Sequence, residues 1–353
     1  MGQFFKRKNS TFVKTKNKMI KKLTDFENEI LAFHKDGIQK GDYCGFDTLD
    51  EYYTRKSGSM TFILASPHSG KTEFNLELLL NLSLLHNQKH ILFTPETGDY
   101  KDIAKELVSK YCKKQFFASD FEHCTEAEIY NAINFLSDKF FIVDNDENSF
   151  TFDDIINQTK QFELDNKVKI DNILFDPYNE IKHDMKDYAG RQDLYIEDAI
   201  GKLRRYAKKE NKHIFICMHP QDQAPITENG ITFYPPPHPR QSAGGQSFFR
   251  KAMAFIILWR PPQGFIDNET QQPYEGNETH IHIAKAKPKG SAKMGKCKLY
   301  FDWRKNRFYE RKDDGIYFGL EAKAKRERNV DAGNLELSVL RNTFGKEFNE
   351  APF

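Results

Sequence analysis

The chain has little of what would tie it to a membrane, a disulfide scaffold or a metal-stapled fold. Its five cysteines, Cys44, Cys112, Cys124, Cys217 and Cys297, are scattered, and no two form a Cys-x-x-Cys pair. That excludes a disulfide framework and a structural zinc site as organising elements and suits a reduced compartment. The longest apolar run covers residues 252–259, far short of the ~20 residues that span a bilayer. The N-terminus is basic and lacks the apolar core of a signal peptide. A cytoplasmic protein with no membrane partner is therefore expected. Charge of neither sign dominates, with 53 Lys and Arg against 51 Asp and Glu. A global polycation is excluded, so any nucleic-acid contact has to come from local basic loops. No internal repeat is present.

A length of 353 residues accommodates one large α/β domain with extensions, or two modest domains. Residues 1–22 hold eight basic and no acidic side chains, the composition of a flexible basic arm. Leu23, Phe26, Ile30 and Phe33 then follow at helical spacing, with Gly37 as a stop. From residue 41 short apolar runs alternate with helical stretches. Strands are predicted over 61–65, 90–93, 140–144, 172–176, 213–218, 254–259, 280–284 and 298–302. Helices are predicted over 71–86, 101–113, 125–137, 152–166 and 188–211. This alternation implies a mostly parallel sheet covered on both faces, with an antiparallel edge from the later, closely spaced strands. Two long loops, 179–192 and 221–247, have the length of functional segments. Beyond residue 319 the chain turns charged and weakly patterned, as a tail does. The expected division is 1–40 for arm and helix, 41–318 for the core, and 319–353 for the tail.

The most informative stretch is Thr61-Phe62-Ile63-Leu64-Ala65-Ser66-Pro67-His68-Ser69-Gly70-Lys71-Thr72-Glu73-Phe74. A buried strand, a tight loop of small residues, and Gly-Lys-Thr opening an amphipathic helix are the parts of a nucleotide phosphate loop. Backbone N–H groups over Ser66, Pro67, His68, Ser69, Gly70, Lys71, Thr72 and Glu73 would face phosphate oxygens, proline apart. Lys71 would reach the β- and γ-phosphates of ATP or another nucleoside triphosphate, and Thr72 would ligate Mg²⁺. The pattern asks for glycine where Ala65 stands, so a chance strand–turn–helix stays open on the string alone. Three further strands end in useful groups. The second ends in Thr94-Pro95-Glu96, a carboxylate able to orient an attacking water. The fourth ends in Asp176-Pro177-Tyr178-Asn179, suited to Mg²⁺ beside Thr72. A later one ends in Met218-His219-Pro220, where an imidazole could sense the γ-phosphate. Singly, Glu96 reads as a solvated loop residue, Asp176 as a turn residue and His219 as structural. Jointly, four strand ends supply one site.

This order of strings resembles the RecA-like ATPase domain of DnaB-like, superfamily-four replicative helicases, in the phage or mitochondrial Twinkle-like flavour. The resemblance covers residues 41–310. Gly45-Phe46-Asp47-Thr48-Leu49-Asp50 matches the segment leading into the phosphate loop. Glu96 stands at the catalytic glutamate, Asp176 at the magnesium aspartate, and His219 at the residue linking γ-phosphate to the DNA loop. Gly244-Gly245-Gln246-Ser247-Phe248-Phe249-Arg250-Lys251-Ala252 resembles the Gly/Ser-rich DNA-binding loop, although Met253 replaces the usual Asp. Lys285-Ala286-Lys287 stands where the family carries Lys-x-Arg, so Lys287 would replace an arginine finger acting on the neighbour's nucleotide. Lysine brings charge without the planar fork, and Lys289 is an alternative.

The resemblance implies an ATP-hydrolysing DNA helicase that forms a ring, a hexamer, around single-stranded DNA. Lys182, Lys186, Arg191, Arg240, Gly244, Gly245, Arg250 and Lys251 would grip the backbone. With only residues 1–40 ahead of the core, no primase domain is expected. Priming, loading or polymerase contact would come from separate proteins, in a host cytoplasm if the source is a phage. A RecA- or RadA-like recombinase, a nucleotide-switched regulatory scaffold and a packaging ATPase share the phosphate loop. The helicase-type strings stand against the first, and the absence of a nuclease segment against the last.

Overall fold

The computed structural model describes residues 20–38, 40–144, 149–221, 223–228, 230–242, 246–267, 270–288 and 292–321. Two compact units emerge, Met1–Gln39 and Lys40–Phe353. In the first, a single 3₁₀ turn leads into α1 (Glu27–Asp36). The helix ends at Gly37, whose φ of 70° is left-handed, a conformation glycine reaches at little cost. None of the helix residues is buried, and the described residues of this unit form no core among themselves.

The second unit is built on one sheet. In chain order its elements are α2 (Asp47–Asp50), β1 (Ser59–Ala65), α3 (Lys71–His86), β2 (His90–Phe93), α4 (Tyr100–Cys112), α5 (Glu126–Leu136), β3 (Phe140–Ile142) and α6 (Phe152–Asn166). There follow β4 (Asn172–Phe175), α7 (Gln192–Glu210), β5 (His213–Met218), β6 (Ile226–Glu228), β7 (Ile231–Phe233), α8 (Gln246–Lys251), β8 (Ala254–Trp259), β9 (Glu278–Ala286), β10 (Gly295–Asp302), β11 (Arg307–Lys312) and β12 (Gly315–Phe318). The ten-stranded sheet runs β12-β11-β10-β9-β8-β1-β5-β4-β2-β3. From β3 to β8 the pairs are parallel; from β8 to β12 they are antiparallel. A separate hairpin joins β6 to β7. This is the α/β fold expected, a mostly parallel sheet with an antiparallel edge.

The core follows the period of two that a strand imposes. In β1, Phe62 and Leu64 enter one apolar layer with α6, α7 and α8, while Ile63 and Ala65 enter the other with α3, α4 and α5. Near-continuous apolar strands are what a sheet buried on both faces needs. Three details depart from expectation. Helix α3 is not amphipathic: every residue from Phe74 to Leu84 is buried, because β11 and α4 close the side that would have met water. Strand β11, Arg-Phe-Tyr-Glu-Arg-Lys, carries too much charge to be seen as a strand, and its Arg307 and Glu310 are nonetheless 1% exposed. Leu320 is buried, its N–H donating to the Gly45 carbonyl at 2.8 Å. Among the described residues no helix is long and apolar enough to cross a membrane.

Candidate nucleotide site

The carboxyl ends of β1, β4 and β5 lie side by side, with β2 next to β4. Ligands gather at such an edge, where the strand order switches. Each predicted group arrives there for a local reason. Strand β1 runs through Ala65, paired with Leu258. Ala65 is not among the left-handed residues, which in this loop are His68 (φ 60°) and Gly70 (φ 75°). The missing glycine is thus tolerated, because the sharp turning happens further along. Gly70 hands the chain to α3, placing Lys71 and Thr72 in the first turn.

Lys71 Nζ lies 2.8 Å from Asp176 Oδ1, with the two side chains 7% and 2% exposed. A buried pair of this kind is tolerable only because each charge offsets the other's lost hydration. Thr72 Oγ1 donates to Asp176 Oδ2 at 3.1 Å. Asn75, one helical turn beyond Thr72, reaches the same oxygen at 3.3 Å and Cys217 Sγ at 2.8 Å. His219 Nε2 stands 3.2 Å from Glu96 Oε2 and 3.4 Å from Lys71 Nζ. A carboxylate only accepts, so a neutral ring serving Glu96 carries its hydrogen on Nε2. Its Nδ1 is buried and has no hydrogen-bond partner among the described residues. Glu96, 47% exposed, is the open side of the cluster. Burial raises the Cys217 thiol, with Asp176 adding to it, which keeps that sulfur neutral beside the charged pair.

A hydroxyl and one carboxylate, both hard oxygen donors, fit Mg²⁺, which prefers few protein ligands and completes its shell with water and phosphate. Among the described residues no group of three or more His, Cys, Asp or Glu side chains could hold a metal by itself. A magnesium held by protein and nucleotide together suits that donor set.

Glu73, expected to face phosphate, has its side chain paired with Lys110 at 2.6 Å. Lys285 Nζ donates to the carbonyl oxygens of Phe249 and Arg250, closing the end of α8. Burial lowers its pKa, with Lys287 lowering it further. Lys287 follows β9 and is exposed. Lys251 Nζ donates to the Glu197 carbonyl on α7 at 2.6 Å. Lys182, Lys186, Arg191, Arg240 and Arg250 are exposed on the two loops and α8, and Arg191 pairs with Asp193 at 2.6 Å. Gly244, Gly245 and Lys289 lie outside the described residues. Sequence reasoning missed Asn75 and Gln223. Gln223 accepts a 2.5 Å bond from Ser66 Oγ. Helical spacing from Thr72 could have pointed to Asn75; nothing in the spacing points to Gln223.

No family model matches the chain. It is 25% identical over 285 residues to the Twinkle homolog protein, chloroplastic/mitochondrial, of Arabidopsis thaliana. That match covers 79% of this chain but only 38% of the relative's length. A solved DnaB-like replicative helicase, described with its interactions with primase, superposes with a TM-score of 0.60 at 17% identity, over 82% of this chain and 67% of that one. A second solved structure, described as an ATPase domain, gives a TM-score of 0.60 at 18% identity, over 81% of this chain and 96% of that one. The fold is therefore that of RecA-like helicase ATPase domains.

Proposed function

Because these relatives support a DnaB-like replicative helicase type, we propose that the chain is an ATP-hydrolysing motor that translocates as a ring on single-stranded DNA. The observation that carries this reading is the convergence of Lys71, Thr72, Asp176, Glu96 and His219 from four strand ends. Lys71 neutralises the transferring phosphoryl group, exchanging Asp176 for phosphate as its partner. Thr72 and Asp176 would hold a magnesium ion, which would offset charge on the phosphate oxygens. Glu96 accepts a hydrogen bond from the attacking water and fixes its direction. His219 touches both Glu96 and Lys71, so it can report phosphate occupancy to the loop that begins at Pro220.

Nucleotide would lie between subunits, closed by Lys287 of the next copy. Lys285 stands close behind it, although its ammonium already serves the α8 carbonyls. A head-to-tail interface that closes gives a ring, and a hexamer is the size proposed. Exposed Lys182, Lys186, Arg191, Arg240 and Arg250, with Lys251 and the Gly244-Gly245 segment, would line the passage and hold phosphates without reading bases. The apolar side of α1 would dock on a neighbouring subunit; deleting residues 1–36 should lower the solution mass. Separate primase, loader or polymerase partners would complete replication.

The deciding experiment is Mg²⁺-dependent ATP hydrolysis with and without single-stranded DNA, beside Lys71→Ala. Stimulation that vanishes in the variant supports the motor. Hydrolysis indifferent to DNA overturns it in favour of a nucleotide-switched scaffold. Open filaments on DNA by electron microscopy would instead identify a recombinase.

A further inference from the structure

The loop that follows β5 is tied to the phosphate loop by one side chain that the reading above does not use. Gln223 Oε1 accepts a hydrogen bond from Ser66 Oγ at 2.5 Å, and its Nε2 donates to the Pro235 carbonyl at 2.6 Å. Ser66 is 3% exposed and opens the phosphate loop. Residues 223 and 235 bracket the β6–β7 hairpin, so one amide closes the base of that hairpin and holds the phosphate loop with its other end. The hairpin itself packs lightly, with Ile226, Thr227 and Glu228 all exposed. Its base is firmer. Trp259 Nε1 donates to the Tyr234 carbonyl at 2.8 Å, tying that residue to β8, the parallel neighbour of β1. The Phe233 and Phe265 rings lie 4.9 Å apart.

From this geometry we infer that Gln223 is a positioning residue coupling nucleotide occupancy of the phosphate loop to the β6–β7 hairpin, by a route separate from His219. Only a primary amide offers a donor and an acceptor at the same reach. Glutamate keeps the acceptor for Ser66 and loses the donor to Pro235, and alanine loses both. Because the bond is shared, coupling runs both ways: filling the phosphate loop steadies the hairpin, and displacing the hairpin alters Ser66. The inference rests on the nucleotide-binding part of the proposed function.

The test is amide hydrogen exchange over residues 226–233, with and without a non-hydrolysable ATP analogue and Mg²⁺, in wild type, Gln223→Ala and Gln223→Glu. Analogue affinity and thermal unfolding are measured on the same samples. In wild type the analogue should slow hairpin exchange by about fivefold or more, the lower end of ordinary coupling. Gln223→Ala should bind the analogue and lose that response, and Gln223→Glu should keep part of it. A response that persists in Gln223→Ala, or its absence in wild type that does bind the analogue, overturns the coupling while leaving the motor standing. Failure of wild type to bind the analogue overturns the nucleotide reading and the coupling together.

Discussion

Helix α3 carries several buried ion pairs, and two of them, Lys71–Asp176 and Glu77–Arg307, differ in what surrounds them. At its first residue, Lys71 meets Asp176 at 2.8 Å. Further along, Glu77 takes Arg307 Nε at 2.7 and 2.9 Å, with both side chains 1% exposed. The second pair is sealed. Arg307 also donates to the Lys110 carbonyl at 3.1 Å and to Asn81 Oδ1 at 3.2 Å, and Lys110 Nζ donates to the Asn306 carbonyl at 3.0 Å. The first pair opens through His219, 26% exposed, to Glu96, 47% exposed. Buried charge alone therefore does not mark a reactive site. What distinguishes Lys71–Asp176 is its link through His219 to the partly exposed Glu96, whereas Glu77–Arg307 is closed in by Lys110 and Asn81.

The comparison can be broken from either side. Lys71→Ala should reduce hydrolysis by at least about a hundredfold, with the circular dichroism spectrum retained; ordinary turnover in that variant would remove the site. Glu96→Gln should lose on the order of 10²–10⁴ in kcat while still binding ATP, measured by titration beside single-turnover rates. If it turns over normally, another group orients the water. Glu77→Ala, which strands Arg307 in the core, should cost about 3–5 kcal/mol in denaturant unfolding. Replacing both partners, Glu77→Met with Arg307→Met, should recover most of that loss. A double replacement no more stable than the single one would mean that the pair contributes more than mutual neutralisation.

The most gradual effect concerns pH. His213 Nδ1 donates to the Lys56 carbonyl at 2.7 Å, and its Nε2 lies 3.0 Å from Thr61 Oγ1. Burial, with Arg55 nearby, lowers its pKa to about 3. The folded protein thus refuses a proton that the unfolded chain accepts below its ordinary value near 6.5. Stability from this residue is complete above that value and is lost as pH falls toward 3, at up to about 1.4 kcal/mol per pH unit. Thermal melts from pH 7 to pH 4 should show the slope, and His213→Gln should flatten it. An unchanged slope would assign the acid sensitivity elsewhere, to His90 or His282, whose pKa values burial also lowers.

What the sequence by itself determined is the alternation of β1, β2, β4, β5 and β8 with their helices, and the chemistry at their ends. Apolar runs bounded by turn residues leave little freedom in where a parallel strand stops, and in such a sheet the residue after the stop faces the ligand edge. The placement of Asp176 and His219 directly after β4 and β5, of Glu96 in the turn after β2, and of Lys71 and Thr72 at the start of α3 was legible for that reason. Only the tertiary structure decided the rest. Arg307-Phe308-Tyr309-Glu310 does not look like a buried strand until Glu77 and Asn81 receive the arginine. Glu310 becomes buried by accepting bonds from the Asp47 and Thr48 N–H groups, more than 260 residues away in the chain. Helix α3 reads as one-sided until β11 and α4 close over it. Gln223 carries no signal at all until Ser66 and Pro235 stand at its two ends. Local patterns record what a segment does alone; whether a charge is sealed or open depends on which distant partner the fold brings to it.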